Sequence, residues 1–368
     1  MRMLLLGYYG VRNLGDEMML FCLREWLGRQ GIQFTVVTEY PQEVERTWGL
    51  PVVQNTPLLG ERSWWDSWFR GKAVGLIRAL RAHDGLIVGG GDLIRQDHGW
   101  RTFLYTLEKI AAAHLLGKPV YLVNIGIGRP RNWAGWRLLG WALRRCRRII
   151  VRDERSLAIC RKVGAIAEFA PDIVLWLPCL LGQTAVQERR YAIVSLLGHA
   201  NLFGLFDLSE DRLRTLAAGL DHLVERHDLD IVFLPFQSSD DADDAAIHRQ
   251  VAALMRHPER AVLRPWSCDV PELARCFAGA TLTIAMRLHA AVLAAAYGRP
   301  CLSLPYDHKV REFAAYMKLN NLVAAEMLDR PEALFTLLDE TVAAPAAPPG
   351  SLVGARWDKL ALAPGTSQ

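Results

Sequence analysis

The sequence predicts a parallel α/β protein in two domains, and three observations carry that expectation. Short apolar, β-prone runs alternate with helix-patterned segments along most of the chain, which favours a parallel sheet flanked by helices over a bundle or a sandwich. The alternation breaks once, in a polar stretch without period over residues 182–190, and starts afresh at 191–196. A length of 368 residues fits two such units.

The elements follow in order. Residues 3–6 read as the first strand, 16–29 as a helix stopped by Gly31, 34–38 as the second strand and 85–88 as another, with 120–125 and 149–151 continuing the pattern. In the second half, 191–196 is a strand, 211–226 a helix, 231–234 a strand and 245–255 a helix. Residues 281–285 then form a strand, and the Ala- and Leu-rich run 290–297 a helix. Gly298 and Pro300 end that helix, and 301–304 is the next buried strand. The first domain is expected over 1–178 and the second over 191–342, their sheets facing across a cleft. Residues 343–368, rich in Ala, Pro, Gly and Ser, are expected to be loosely ordered.

Composition excludes several classes. A net charge of +4 is too small to argue for nucleic acid, although arginines outnumber acids between residues 131 and 162. The seven cysteines are scattered, with no Cys-x-x-Cys pair and no metal-ligand spacing, so a reduced cytoplasmic setting is expected and no metal. The apolar run at 3–6 is too short for a signal peptide, and no run approaches a membrane span.

The most informative stretch is 280–313. Arg287 and His289 follow one predicted strand and Lys309 follows the next. In a strand, helix, strand unit both strands are parallel, so all three groups emerge at the same carboxyl edge, where ligands of open parallel sheets bind. An anion site is expected there; taken singly, each group also reads as a solvated loop charge.

Other candidates also follow strands. Gly7-Tyr8-Tyr9-Gly10-Val11-Arg12-Asn13-Leu14-Gly15-Asp16-Glu17 leads into the first helix, and Asp16 also reads as its N-cap. Gly89, Gly90 and Gly91 suit close approach of backbone to a ligand, or tight packing on a neighbouring strand. Arg152 lies at a strand end beside Asp153 and Glu154, where an anion contact and a surface ion pair both fit. Asp240, Asp241, Asp243 and Asp244 read as a solvated loop before a helix, with sugar hydroxyls or a metal as other uses. Dinucleotide, P-loop, His-Glu-x-x-His and Gly-x-Ser-x-Gly patterns are absent. Two Trp-rich stretches carry basic residues: Trp64, Trp65, Trp68 and Phe69 with Arg70 and Lys72, and Trp133, Trp136 and Trp141 with Arg137 and the arginines from 144 to 148. Such helices rest on anionic membranes or pack tryptophans into a core.

Together these motifs resemble the polysaccharide pyruvyl transferase family. The resemblance rests on Gly7-Tyr8-Tyr9-Gly10 with Asn13-Leu14-Gly15-Asp16-Glu17, Gly89-Gly90-Gly91, Val151-Arg152-Asp153, Ala170-Pro171-Asp172, Met286-Arg287-Leu288-His289-Ala290 and Tyr306-Asp307-His308-Lys309-Val310. It departs at Val11-Arg12, and at Ala285, where glycine often precedes Met-Arg-Leu-His. The resemblance implies a GT-B-like fold of two Rossmann-like domains and a ketal-forming transfer of the enolpyruvyl group of phosphoenolpyruvate to a sugar of a cell-surface polysaccharide. It further implies that Arg152, His289 and Lys309 bind and activate phosphoenolpyruvate, while Asp16 and Glu17 serve the acceptor. With these go Arg287, Gly89, Gly90, Gly91 and Asn13 as substrate contacts and His289 as the acid. Phosphoenolpyruvate is a co-substrate, and no cofactor is expected. A lipid-linked acceptor and peripheral contact with the inner face of the cell membrane are compatible partners. A nucleotide-sugar glycosyltransferase and a non-catalytic polysaccharide-assembly protein are the alternatives.

Overall fold

The computed structural model describes residues 1–58, 72–96, 99–182, 190–198, 208–239, 242–319, 325–345 and 354–362. The chain divides into two compact units. The first holds Met1–Val11, Asp16–Ile173 and Arg356–Gln368; the second holds Arg12–Gly15 and Val174–Ala355. The main changeover falls in a 3-10 turn, Ile173–Trp176.

The first unit's elements are β1 (Arg2–Leu6), α1 (Leu14–Gly28), β2 (Gln33–Thr38), α2 (Pro41–Trp48), β3 (Val52–Gln54), α3 (Lys72–Ala82), β4 (Gly85–Ile94), α4 (Trp100–Leu115), β5 (Val120–Ile127), α5 (Trp133–Leu143), β6 (Arg148–Val151), α6 (Glu154–Lys162) and β7 (Glu168–Phe169). The sheet has seven strands in the order β3-β2-β1-β4-β5-β6-β7, all parallel. Every residue of β5 is buried, as helices on both faces require. Leu4, Val88 and Leu122 of the strands meet Phe103, Ile110 and Leu139 of the helices in one core.

Two expectations need correction here. Gly89, Gly90 and Gly91 do not follow a strand; they lie within β4, which runs on to Ile94 through a register shift against β5. Neighbours fill the space their missing side chains leave. A Cβ on Gly89 would sit 3.0 Å from Leu5, and one on Gly90 would sit 3.2 Å from the Tyr9 hydroxyl. Gly90 and Gly91 also have φ of +72° and +81°, which other residues adopt at a cost.

The second correction concerns the tail. Its residues 354–362 are ordered, because Trp357 is fully buried. Its indole donates to Pro171 O at 2.9 Å and stands edge-on to Trp26, with ring centroids 5.4 Å apart. Trp26 Nε1 in turn donates to Trp357 O at 3.1 Å. The surrounding Ala, Pro and Gly masked one tryptophan whose burial outweighs the ordering of a short segment.

The second unit contains α7 (Leu177–Leu181), β8 (Tyr191–Ser195), α8 (Glu210–His227), β9 (Asp230–Phe233), β10 (Ser238–Ser239), β11 (Ala242–Asp243), α9 (Asp244–Leu254), β12 (Ala261–Leu263), α10 (Val270–Gly279), β13 (Leu282–Ala285), α11 (Leu288–Ala296), β14 (Cys301–Ser303), α12 (His308–Tyr316) and α13 (Pro331–Ala343). Its five-stranded sheet is ordered β12-β9-β8-β13-β14 and is parallel throughout. The order reverses between β8 and β13, the position where open α/β sheets bind ligands. Trp357→Ala should lower unfolding free energy by about 3–5 kcal/mol, read by urea denaturation; an unchanged midpoint would mean that the tail is not an anchor.

Candidate active site

Register places the second unit's candidates. Ala285 of β13 pairs with Ser195 on one side and Ser303 on the other, so the three strands end level. Arg287 directly precedes α11, His289 lies in its first turn, and Lys309 lies in the first turn of α12. All three therefore stand at one carboxyl edge, as expected.

Their environments differ. Arg287 is gripped by Asp244, Nε to Oδ2 at 3.0 Å and Nη2 to Oδ1 at 2.6 Å. Asp244 has no exposed surface. It also accepts the amides of Gly198, Phe236 and Gln237, each at 3.0 Å. One turn on, His248 Nε2 accepts the Leu196 amide at 3.0 Å, and burial pushes its pKa down to about 4, so it is neutral. The Lys309 ammonium is 3.9 Å from Asp307, which caps α12. Burial disfavours the Asp307 carboxylate, but a hydrogen bond from His308 and the charge of Lys309 outweigh it and hold the carboxyl at about 2.

Arg12–Gly15 cluster with this unit. The Leu14 amide donates to Phe236 O at 2.7 Å, Asn13 bridges Gln237 in antiparallel fashion, and Arg12 lies 4.9 Å over the Trp266 ring. Asn13 accepts the Gly15 amide at 3.1 Å, so its side chain serves the start of α1. Gly15 lies flat against His289. A Cβ there would fall 2.2 Å from Nδ1, so only glycine leaves the imidazole its place.

In the first unit, Arg152 forms no surface pair with Asp153, whose side chain caps α6. Its side chain is 8% exposed, with Nη2 2.6 Å from Asp92 Oδ1 and Nη1 3.2 Å from Asp172 Oδ2. Burial disfavours this cation, and the two carboxylates hold it firmly protonated. Asp16 and Glu17 lie in the first turn of α1, so Asp16 is not its N-cap. Asp16 is half-buried, and a Cβ on Gly91 would come within 3.3 Å of its Oδ1. Glu17 is buried and its oxygens accept Gly10 N and Trp48 Nε1, each at 2.7 Å. Burial pushes its carboxyl up to about 7 despite those two donors. Tyr9 donates to Gly89 O at 2.5 Å, and burial, then Asp16 and Glu17, raise its pKa.

Residues 13–308 match the family described as polysaccharide pyruvyl transferase. The chain belongs to this family. Membership makes it a transferase of polysaccharide biosynthesis and implies a saccharide acceptor. No curated protein sequence matches the chain. Among solved structures it is similar to UDP-GlcNAc 2-epimerase from Methanocaldococcus jannaschii, at 12% identity and a TM-score of 0.65 over 98% of this chain and 99% of that one. The same enzyme in complex with UDP-GlcNAc and UDP gives 14% identity and a TM-score of 0.59, with the same coverage. The spinosyn rhamnosyltransferase SpnG gives 14% identity and 0.52 over 98% and 95%. These likenesses establish a GT-B fold for this pyruvyl transferase family member.

Sequence reasoning missed Asp244, His248, Asp92 and Asp172 as partners. Asp244 was read within a solvated acidic run, yet it opens a helix just after a strand, and that placement was the available signal. Asp243 caps α9 instead, while Asp240 and Asp241 lie outside the described residues, as does the first Trp-rich stretch up to Arg70. In the second stretch Trp136 and Trp141 pack partly against the core, and Trp133 is 74% exposed. Among the described residues no helix is long and apolar enough to cross a membrane. None of the cysteines is in a disulfide. A group with metal-ligand geometry lies elsewhere: His222, His227 and Asp339 have ligand atoms within 4.8 Å of one another, with Arg226 also bound to Asp339 at 3.1 Å.

Glu17 makes stability pH-dependent. A folded-state pKa of about 7 against an ordinary 4.5 means that its contribution is fully present below pH 4.5 and is lost as pH rises through 7. The loss should be on the order of 3 kcal/mol by pH 8, measured by urea denaturation at pH 4.5 and 8. Replacement by Gln should remove that part of the slope; a slope unchanged in Glu17→Gln would refute the assignment.

Proposed function

We propose that this family member transfers the enolpyruvyl unit of phosphoenolpyruvate to two hydroxyls of a saccharide, forming a cyclic pyruvate ketal and releasing phosphate. The convergence of Arg287, His289 and Lys309 at the switch point of the second sheet supports this most directly. Helix α11 opens at the same edge with no acid in its first turn and no side-chain cap, which suits an anion.

Arg287 and Lys309 would hold the carboxylate and phosphate. His289 protonates the methylene carbon, and the adjacent carbon becomes oxocarbenium-like. A sugar hydroxyl attacks that carbon and loses its proton to Asp16. We assign this step to Asp16 because both Glu17 oxygens hold the Gly10 loop and Trp48. The phosphate C–O bond then breaks and phosphate leaves, and a second hydroxyl attacks the same carbon to close the ketal, its proton replacing the one His289 gave. Arg152, locked between two aspartates, sets the shape of the acceptor side. The scheme needs no cofactor or metal, and its phosphoenolpyruvate supply places the reaction in the cytoplasm.

The fold is also that of enzymes acting on nucleotide sugars, so a nucleotide sugar is the competing donor. Phosphate release from phosphoenolpyruvate, assayed across nucleotide- and lipid-linked sugars, should depend on the acceptor. His289→Ala should lower kcat by about 100-fold or more, and Gly15→Ala, which displaces the imidazole, should lower kcat more than it raises KM. Turnover of a nucleotide sugar without phosphoenolpyruvate, or undiminished release by His289→Ala, would overturn the proposal.

A further inference from the structure

The α4–β5–α5 segment carries a surface that the reaction does not use. Between Gly99 and Arg147 the sequence contains one acidic residue, Glu108. It is buried, with Lys109 Nζ 2.6 Å from its Oε1. Every exposed carboxylate is therefore missing from this segment, while Arg101, Arg129, Arg131 and Arg137 are exposed.

The same surface exposes large apolar groups at one end. Trp100 is the first residue of α4 and Trp133 the first of α5. They are 40% and 74% exposed, and Leu104, one turn from Trp100, is 36% exposed. A buried Gln96 ties the two helix starts together: its carbonyl accepts the Gly99 amide at 2.9 Å and its Oε1 accepts the Arg131 amide at 2.7 Å. Asn132 caps α5 by accepting the Gly135 amide, which fixes Trp133 at the helix start. Arg137 lies 5.9 Å over the Trp133 ring. Both helices begin after the carboxyl ends of β4 and β5, the edge of the first sheet to which Asp92 and Arg152 also belong.

We infer that this edge of the first unit docks on an anionic lipid bilayer, with Trp100 and Trp133 in the headgroup layer and the surrounding arginines on the lipid phosphates. Indole is the side chain that best occupies that layer, because its ring is apolar and its N–H finds a polar partner. Arginines beside it add attraction to anionic lipid, about fivefold in partitioning per charge, and salt screens them. Two exposed tryptophans in a neutral segment would fit a protein partner as well; the exposed charges of the segment that carries these two are all positive, which selects a polyanionic surface. Docking by this segment does not rest on the proposed pyruvyl transfer.

The test is flotation of the full chain with vesicles of phosphatidylcholine containing about one third phosphatidylglycerol, in low and high salt, beside pure phosphatidylcholine. The wild type should float with the anionic vesicles at low salt and be released by salt. The exposed pair Trp100→Ala and Trp133→Ala should reduce the bound fraction at least tenfold, and the triple change Arg129→Glu, Arg131→Glu and Arg137→Glu should abolish it, with unaltered thermal melts. Absence of flotation at low salt, or binding unaffected by either set, would overturn the inference. Phosphate release with a short, soluble acceptor should be the same in the Trp pair as in the wild type. Loss of flotation with that activity intact separates failure of docking from failure of the pyruvyl transfer reading.

Discussion

A carboxylate with no exposed surface, Asp244, organises the reactive edge of the second unit. It draws in the amide that follows β8 at Gly198, the amides that follow β9 at Phe236 and Gln237, and the guanidinium that follows β13. Each of those groups would otherwise be a desolvated donor, and each would cost about 1–3 kcal/mol if left unmet. One carboxylate at the start of α9 satisfies them together. The helix dipole at that start favours the same charge. The strand ends are thereby fixed relative to one another, and Arg287 points where the sheet order reverses.

The first unit solves the same physical problem differently. Arg152 also ends a strand and is also nearly buried, yet it lies between two aspartates from β4 and the segment after β7. A guanidinium flanked by two carboxylates carries a net negative surround, so it orders loops more readily than it attracts an anion. Arg287 has one carboxylate, and the Lys309 ammonium stands 3.9 Å from Asp307. Electrostatics therefore makes the carboxyl edge of the second unit the better place for an anion.

Much of this was legible in the sequence for physical reasons. Strand, helix, strand alternation fixes parallel pairing, and parallel pairing fixes which strand ends share an edge, so Arg287, His289 and Lys309 could be grouped from spacing alone. The partners of those residues were not legible. Asp244 is brought to Arg287 across 43 positions and Asp92 to Arg152 across 60, by sheet order rather than by local pattern. Acidic residues in a row read as solvated, because sequence cannot tell which member of the row turns inward. The place of the triple glycine was misread for a related reason. Glycine reports that space is occupied above the backbone, and the occupant in β4 is Tyr9 and Met19, both supplied by the first turn and helix of the chain. In the tail, average composition hid Trp357, since burial of one large aromatic is a single-residue effect.

Pairing to a carboxylate does not spend an arginine as a ligand for an anion, because of how the donors of the guanidinium are arranged. Asp244 takes Nε and Nη2 on one side of the guanidinium fork, and a guanidinium carries further N–H donors on its other side. An unpaired arginine loses rotamer freedom when it captures an anion; Arg287 has lost that freedom in folding, so a ligand meets donors already set in direction. The pairing also keeps the isolated cation from being buried without compensation between substrate encounters. His289 is constrained by the same logic, since the flat face of Gly15 leaves the ring one place to lie. A site assembled from groups that are held by neighbours in this way gives up some attraction for an anion and gains fixed donor directions, and for the pyruvyl transfer proposed above, which turns on where one proton arrives, fixed geometry is the greater advantage.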